Sequence, residues 1–526
     1  MFGIRRFCPL ALALLVVACS SKSPEPAAPA SQATAASTHE DGIAWRTDVD
    51  AAFAEAKTSN KPIFLYWGAV WCPPCQQVKS TIFKRPEFIE RTRLVIPVYL
   101  DGDSPSAQAH ADRFGVVGYP TVVILRADGT EITRLPGGAD ADLYLSVLDA
   151  AISNLKPVKD LIATTENDAK SLTPADWHVL AYYAWDVDAG RVVDVKSAPA
   201  VVNKLLAACR PASVSSDCLR LELTLAALVA AQKDKPSVEL DRKHLLATLN
   251  DLSASSALQR QNIDYLVYHS DDLVTVATPA GSPARAQLVK LWQSTLENLS
   301  NDESLPRVDR VGMTFARVLL AKADAPKAPV PADVVAAARS CAAWADKATS
   351  DPYERQAVMN RAAAALDEAG LSADANDLLT RELKVSKSPY YFMLDIADFA
   401  QKAGHKDQAL HWLERAYNES LGPATRLQRG KDYLLGLLDM APEDDNRIQR
   451  VGLAVIDELG KDPNSIHQRS RIRLERIDQA MRAWNKGDNH RPVVRALRAR
   501  LQEICAPVAA GDSARKTCDD FLNNPA

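Results

Sequence analysis

The chain has 526 residues, enough for three or four domains at the usual ~150 residues each. It is 47% apolar and 24% charged, which excludes a chain that is disordered as a whole. The formal net charge is −4 and no long Lys/Arg run occurs, which excludes a charge-driven binder of nucleic acid or anionic lipid. Nine cysteines are too few, at this length, for a small disulfide-stapled scaffold.

Arg5 and Arg6 precede the apolar run PLALALLVVA, which stops at Cys19. A charged start followed by so short an apolar run predicts a signal peptide over residues 1–18 rather than a membrane span. The ending V-V-A-C resembles the lipobox of bacterial lipoproteins, and the resemblance implies that Cys19 is acylated and becomes the mature N-terminus. Ser20, in place of Asp after that cysteine, is similar to outer-membrane sorting in Gram-negative lipoproteins. Residues 19–40 are rich in Ser, Ala and Pro and cannot bury a core, so they are expected to act as a tether. No later run reaches the ~20 apolar residues of a membrane span. The remainder is therefore expected in an oxidising periplasmic compartment, held to the membrane by the lipid anchor only.

Residues 41–155 carry the chemistry. In KPIFLYWGAVWCPPCQQVKSTIF, Ile63 to Trp67 predict a short buried strand, and Gly68 and Ala69 permit a turn. W-C-P-P-C then opens a helix that runs on through Gln76, Val78 and Ile82, because proline is tolerated in a first helical turn. Cys72 is placed at or just before the helix N-terminus, with Cys75 one turn inside. Helix N-termini carry unpaired N–H groups and partial positive charge, which stabilise a thiolate, and the thiolate is the nucleophile of disulfide exchange. Further on, FGVVGYPTVVILRADGTEI predicts a strand, a two-residue hairpin turn at Asp128-Gly129 and a second strand, and DADLYLSVLDAAI predicts a closing helix.

K-P-I-F-L-Y-W-G, W-C-P-P-C, K-S-T-I-F-K-R-P-E-F and G-Y-P-T together resemble the thioredoxin superfamily, in particular the periplasmic thioredoxin-like domain at the C-terminus of the DsbD reductases. The resemblance implies an α/β thioredoxin fold. It makes Cys72 the exposed attacking thiol, Cys75 the buried resolving thiol and Trp71 a flanking surface aromatic. Pro120 becomes a cis-proline lining the substrate groove, with Tyr119 just before it presenting backbone to substrate. One position departs from the family: Tyr66 stands where many thioredoxins bury an Asp, which leaves Glu55, Asp101 or water as proton acceptor for Cys75. A zinc site is the competing reading of a C-x-x-C pair. No second C-x-x-C exists, and His110, the nearest histidine, lacks a matching fourth ligand, so neither a metal nor another cofactor is expected.

Residues 156–526 read as an all-α domain. Helical patches such as TPADWHVLAYYAW, SDCLRLELTLAALVAA and HRPVVRALRARLQEIC are separated by short Pro/Gly/Asp loops. A segment beginning at Met359 recurs at Met393, an offset of 34 that superposes Ala363 on Ala397, Gly370 on Gly404, Ala375 on Ala409 and Leu379 on Leu413. This resembles the tetratricopeptide repeat, placed near residues 357–420, and implies a partner-binding surface; an irregular helical bundle is the alternative. Trp412, Tyr390, Tyr391 and Phe392 are read as core rather than binding face, and His405, His411 and His467 form no ligand pattern. Proximity pairs Cys209 with Cys218 and Cys505 with Cys518 as structural disulfides, leaving Cys341 as a buried thiol.

The chain is thus expected to be a lipid-anchored periplasmic thiol–disulfide oxidoreductase. It would act on protein disulfides or dithiols, be recharged by an upstream redox partner and make no contact with nucleic acid. The alternative is a partner-binding or chaperone-like helical protein in which the thioredoxin fold is accessory.

Overall fold

Ile63–Gly68 is apolar and aromatic without a charge, and it forms β3, buried along its whole length inside a six-stranded sheet. The other strands are β1 (Ser37–Glu40), β2 (Ile43–Arg46), β4 (Ile96–Asp101), β5 (Thr121–Leu125) and β6 (Glu131–Leu135), in the spatial order β1-β2-β4-β3-β5-β6. β3 is parallel to β4 and antiparallel to β5, and β6 closes the far edge antiparallel to β5. The computed structural model describes residues 37–523 apart from 41, 109, 136–140, 186–187, 189, 213, 233–235, 326 and 462–465. The expected signal peptide, Cys19 and the tether up to residue 36 lie outside the described residues, whereas 37–40 pair as β1.

Successive side chains of β3 point to opposite faces of the sheet, so each face gets its own apolar layer. Phe64 and Tyr66 pack among Trp45, Phe83 and Phe88. Ile63, Leu65 and Trp67 lie on the other side with Ala52, Phe53 and Ala56 of α1 (Val49–Ser59) and with Phe114. After β3 come α2 (Pro73–Val78), continued by a wider π turn over Lys79–Phe83, and α3 (Pro86–Thr92). α4 (Ala141–Asn154) follows β6. The β5–β6 hairpin corrects the expected two-residue turn. Arg126 donates its N–H to the Thr130 carbonyl, and Ala127, Asp128 and Gly129 form the loop, with Gly129 at φ 91° in the left-handed region a three-residue loop requires.

From Val158 onward every regular element among the described residues is helical. The two copies of the sequence repeat occupy successive helical hairpins: α6 (Pro352–Glu368) with Ser372–Glu382, and α7 (Phe392–Lys402) with Lys406–Glu419. Gly370 and Gly404 end the first helix of each with left-handed φ, and the next residue returns its N–H five residues back, Leu371 to Leu366 O and His405 to Ala400 O. Ala363, Ala375, Ala397 and Ala409 are all buried where the helices approach. Cys209 is joined to Cys218, and Cys505 to Cys518, each bridging the last residue of one α-helix to the following α-helix; Cys341 is free.

The apolar core does not stop at α4. One cluster runs from Phe64, Tyr66 and Cys75 through Tyr144 and Leu148 to Trp177, Leu205 and Leu221 in the helical region, and includes Tyr390 and Met393. Polar links follow the same path: Ser146 of α4 shares a hydrogen bond with His178 (2.9 Å), whose other ring nitrogen meets Asp217 (2.8 Å). The chain therefore leaves the sheet domain along α4. It returns to the cysteine face through α5 (Arg307–Lys322), α6, α7, α8 (Pro423–Met440) and α9 (Gln468–Trp484).

Candidate functional site: a covered dithiol

Cys72 is the N-cap of α2, with extended backbone, and Pro73 and Pro74 fill the first helical positions, where no N–H is needed. Its Sγ accepts the N–H of Cys75 at 3.3 Å, one of the donors that every helix start leaves over. The two cysteines are joined as a disulfide with Cα atoms 5.2 Å apart. Cys75 is fully buried. Beneath it the Tyr66 hydroxyl donates to the Cys75 carbonyl (3.4 Å), and burial, then the neighbouring Tyr99, pushes that phenol well above its ordinary range. Glu55 is paired with Arg46 (2.6 Å) and Asp101 accepts the N–H of Asp103 (3.1 Å).

The Tyr119–Pro120 peptide is cis and leads directly into β5, whose Thr121 lies opposite Trp67 in register. That register sets the proline beside the turn that ends in Cys72. The Tyr119 ring lies 5.9 Å from that of Trp71, and its hydroxyl donates to the Gly102 carbonyl (2.9 Å). Gly102 cannot carry a side chain here, because a Cβ would run into the Tyr119 ring. The Trp71 indole N–H donates to Asp103 (2.6 Å).

Two expectations are corrected at this point. Trp71 is not a surface aromatic, being 7% exposed, and Cys72 is not an exposed thiol, being 3% exposed. The reason is the helical region. α6 packs across α2, and Gln356 donates its side-chain N–H to the Trp71 carbonyl. Tyr391, just ahead of α7, stacks on Trp71 with ring centroids 6.1 Å apart and planes 27° from parallel. The guanidinium of Arg429 (α8) lies over Trp71 and Tyr391, at 5.6 and 5.5 Å, and that of Arg469 (α9) over Trp71 and Tyr119, at 5.5 and 4.3 Å. Gln77 of α2 donates to Asp309 of α5 (2.9 Å). Asp103 accepts from both the backbone N–H (2.8 Å) and the hydroxyl (2.7 Å) of Thr425 in α8. Burial lowers the proton affinity of Arg429, and burial, then Arg469, pushes Arg473 down to about 10.

Nothing in the sequence singles out Tyr391, Gln356, Thr425, Arg429 or Arg469 for this place, and the aromatic run around Tyr391 reads as core. Among the described residues no group of three or more His, Cys, Asp or Glu is arranged to hold a metal ion. Nor is any described helix long and apolar enough to cross a membrane.

A mixed sheet, a cysteine pair heading a helix at the end of its central strand and a cis-proline beside it define a thioredoxin-like thiol–disulfide domain. Residues 49–152 match the family described as thioredoxin-like domain. The chain is 31% identical over 107 residues to a thioredoxin of Mycobacterium tuberculosis, covering 20% of this chain and 88% of the relative. It is 30% identical over 104 residues to thioredoxin H4 of Arabidopsis thaliana, covering 20% and 80%. It is also 30% identical over 107 residues to the thiol:disulfide interchange protein DsbD of Haemophilus influenzae, of which it spans only 18%. The chain belongs to the thioredoxin family.

Proposed function

We propose that the chain is a thiol–disulfide oxidoreductase of the bacterial envelope, anchored through an acylated Cys19 in the outer membrane and facing the periplasm. In this reading it reduces disulfides of envelope proteins through Cys72 and Cys75, and its paired helical hairpins form a tetratricopeptide-like array that selects partners. The observation that carries the chemistry is the place of Cys72 as N-cap of α2, with its sulfur accepting the Cys75 N–H.

In the reduced protein the Cys72 thiolate attacks one sulfur of a substrate disulfide. A Cys72–substrate disulfide forms and the other substrate sulfur leaves as a thiolate. Cys75 then attacks the Cys72 sulfur, which forms the Cys72–Cys75 disulfide and releases the second substrate thiol, so two electrons have passed to substrate. A dithiol donor must then reduce the pair again. The DsbD likeness supports an inner-membrane source for those electrons, and the tether would carry the domain toward it.

The test is the reduction potential of the Cys72–Cys75 pair in the whole chain, by equilibration in dithiothreitol or glutathione buffers. A value near about −270 mV supports the reductase. A value of about −120 to −180 mV reverses the direction to oxidase or isomerase. A pair that does not cycle overturns the enzymatic reading. The burial of Cys72 favours one second reading, in which the helical array is the working part and the thioredoxin fold an accessory. That reading requires a Cys72→Ala/Cys75→Ala chain to retain its function in cells.

A further inference from the structure

The cover over the cysteines is apolar where Tyr390, Tyr391 and Met393 pack in the same cluster as Trp71, Cys72 and Cys75, and polar around that contact. Val70 is 44% exposed and Pro74 is exposed, so solvent reaches both flanks of Cys72, yet Cys72 itself is 3% exposed. An attacking thiolate must approach a substrate disulfide in line, and a sulfur beneath α6 and Tyr391 has no room for one. Four polar links fasten the cover: Gln356 to Trp71 O and Asp103 to the Thr425 N–H reach backbone, and Gln77 to Asp309 and Asp112 to His467 join side chains.

The Asp103–Thr425 contact has the anatomy of a latch. Gly422 is the N-cap of α8 and has no side chain with which to cap it. The carboxylate of Asp103, from the loop after β4, takes the N–H of Thr425 instead and accepts the Thr425 hydroxyl as well. A Cβ at Gly422 would collide with the Asp103 side chain, so the glycine lets the loop come this close. The same carboxylate holds the Trp71 indole, which ties the latch to the residue beside Cys72.

We propose that the helical region is a cis-acting lid on the dithiol, latched where Asp103 caps α8 at Thr425, and that Cys72 meets protein substrates only with the latch open. The proposal rests on the dithiol reading above and gives it a regulation: what selects a substrate is its ability to displace Tyr391, Gln356 and Thr425 from the cysteine face. The shown arrangement is then the closed form.

The test needs no turnover, so it is separable from the potential measurement. In the full chain carrying Cys75→Ala, Cys72 is a free thiol, and its alkylation by N-ethylmaleimide is followed by peptide mass spectrometry over a pH series, which separates thiol ionisation from access. Cys72 should react at least about tenfold more slowly in the folded chain than in the same chain unfolded in urea. Adding Thr425→Val or Gln356→Ala should recover about tenfold, the order expected from losing a hydrogen bond to a charged or buried partner. Circular dichroism checks the fold of each variant, and either one suffices if the other fails to fold. Equal rates in folded and unfolded chains would overturn the lid. A slow Cys72 that no folded latch variant accelerates would overturn the latch.

Discussion

Asp103 caps a distant helix, accepting at 2.8 Å the backbone N–H of Thr425, 322 residues further along the chain. Helix starts leave donors without partners, and a carboxylate there is the best-placed acceptor. Asp103→Asn keeps the shape and removes the charge. We expect it to lower stability by about 1–2 kcal/mol, the usual worth of a cap bonded to a charged group. Urea denaturation of the whole chain measures this, and an unchanged midpoint would show that the cap contributes nothing.

The helical region holds a buried ion pair that should be far costlier to break. Arg220, 5% exposed, meets Asp264 through two hydrogen bonds of 2.6 Å and lies over the rings of Tyr182 and Tyr265. Asp264→Ala leaves a buried guanidinium without its counter-charge and should cost about 3–5 kcal/mol. The double change Arg220→Met/Asp264→Leu should cost much less, because no charge is stranded. Equal losses in the two variants would argue against this account.

Asp395 of α7 lies one turn beyond Tyr391, and burial, followed by the nearby Asp398, pushes its carboxyl up to about 6. An unfolded Asp titrates near about 3.9. Between those values the folded chain keeps a proton that the unfolded chain has released, so the group makes stability fall as pH rises. Asp395→Asn should therefore raise the melting temperature at pH 7 and change it little at pH 4. The Asn360 amide, which donates to Asp395 at 2.8 Å, can still donate to the new side chain. A gain that is the same at both pH values would mean the charge is not responsible.

Cys505 and Cys518 close a sequence separation of 13 between the helices Arg491–Cys505 and Ser513–Asp520. Loops of that size contribute ~3 kcal/mol when cross-linked. Cys505→Ala/Cys518→Ala should lose about that amount. A phosphine reductant should then lower the melting temperature of the variant less than that of the parent, and the remaining drop reports on Cys209–Cys218 and Cys72–Cys75 together.

The thioredoxin-like domain was legible because its chemistry is local. β3, the proline-started helix and the residues before β5 each show in a short window, and Cys72 falls at the helix N-terminus through the tolerance of proline there. Its surroundings were not legible, because nothing in W-C-P-P-C says that Gln356, Tyr391 and Thr425 will close over it. Tyr391 sits in an aromatic triplet that looks like core, and it is core, against Trp71 rather than only within its own helices. One signal was available: G-P-A-T starts a long helix with no capping side chain at Gly422, so its first N–H groups had to find an acceptor elsewhere. The hairpin at Asp128-Gly129 is one residue longer than its dipeptide alone specifies, because the same dipeptide serves two- and three-residue loops.

The continuous apolar cluster that joins Cys75 to Trp177 and Tyr390 has a consequence for descent. A domain that merely dangles from its neighbour can be traded between genes, and each half then drifts independently. Here Trp71 is matched to Tyr391, Asp103 to Thr425 and Gly422, and Gln77 to Asp309. Descendants should inherit both halves together, and a change at one member of a pair should be answered at the other. A lineage that replaced Asp103 while keeping Gly422 and Thr425 would have had to find another way to start the same helix.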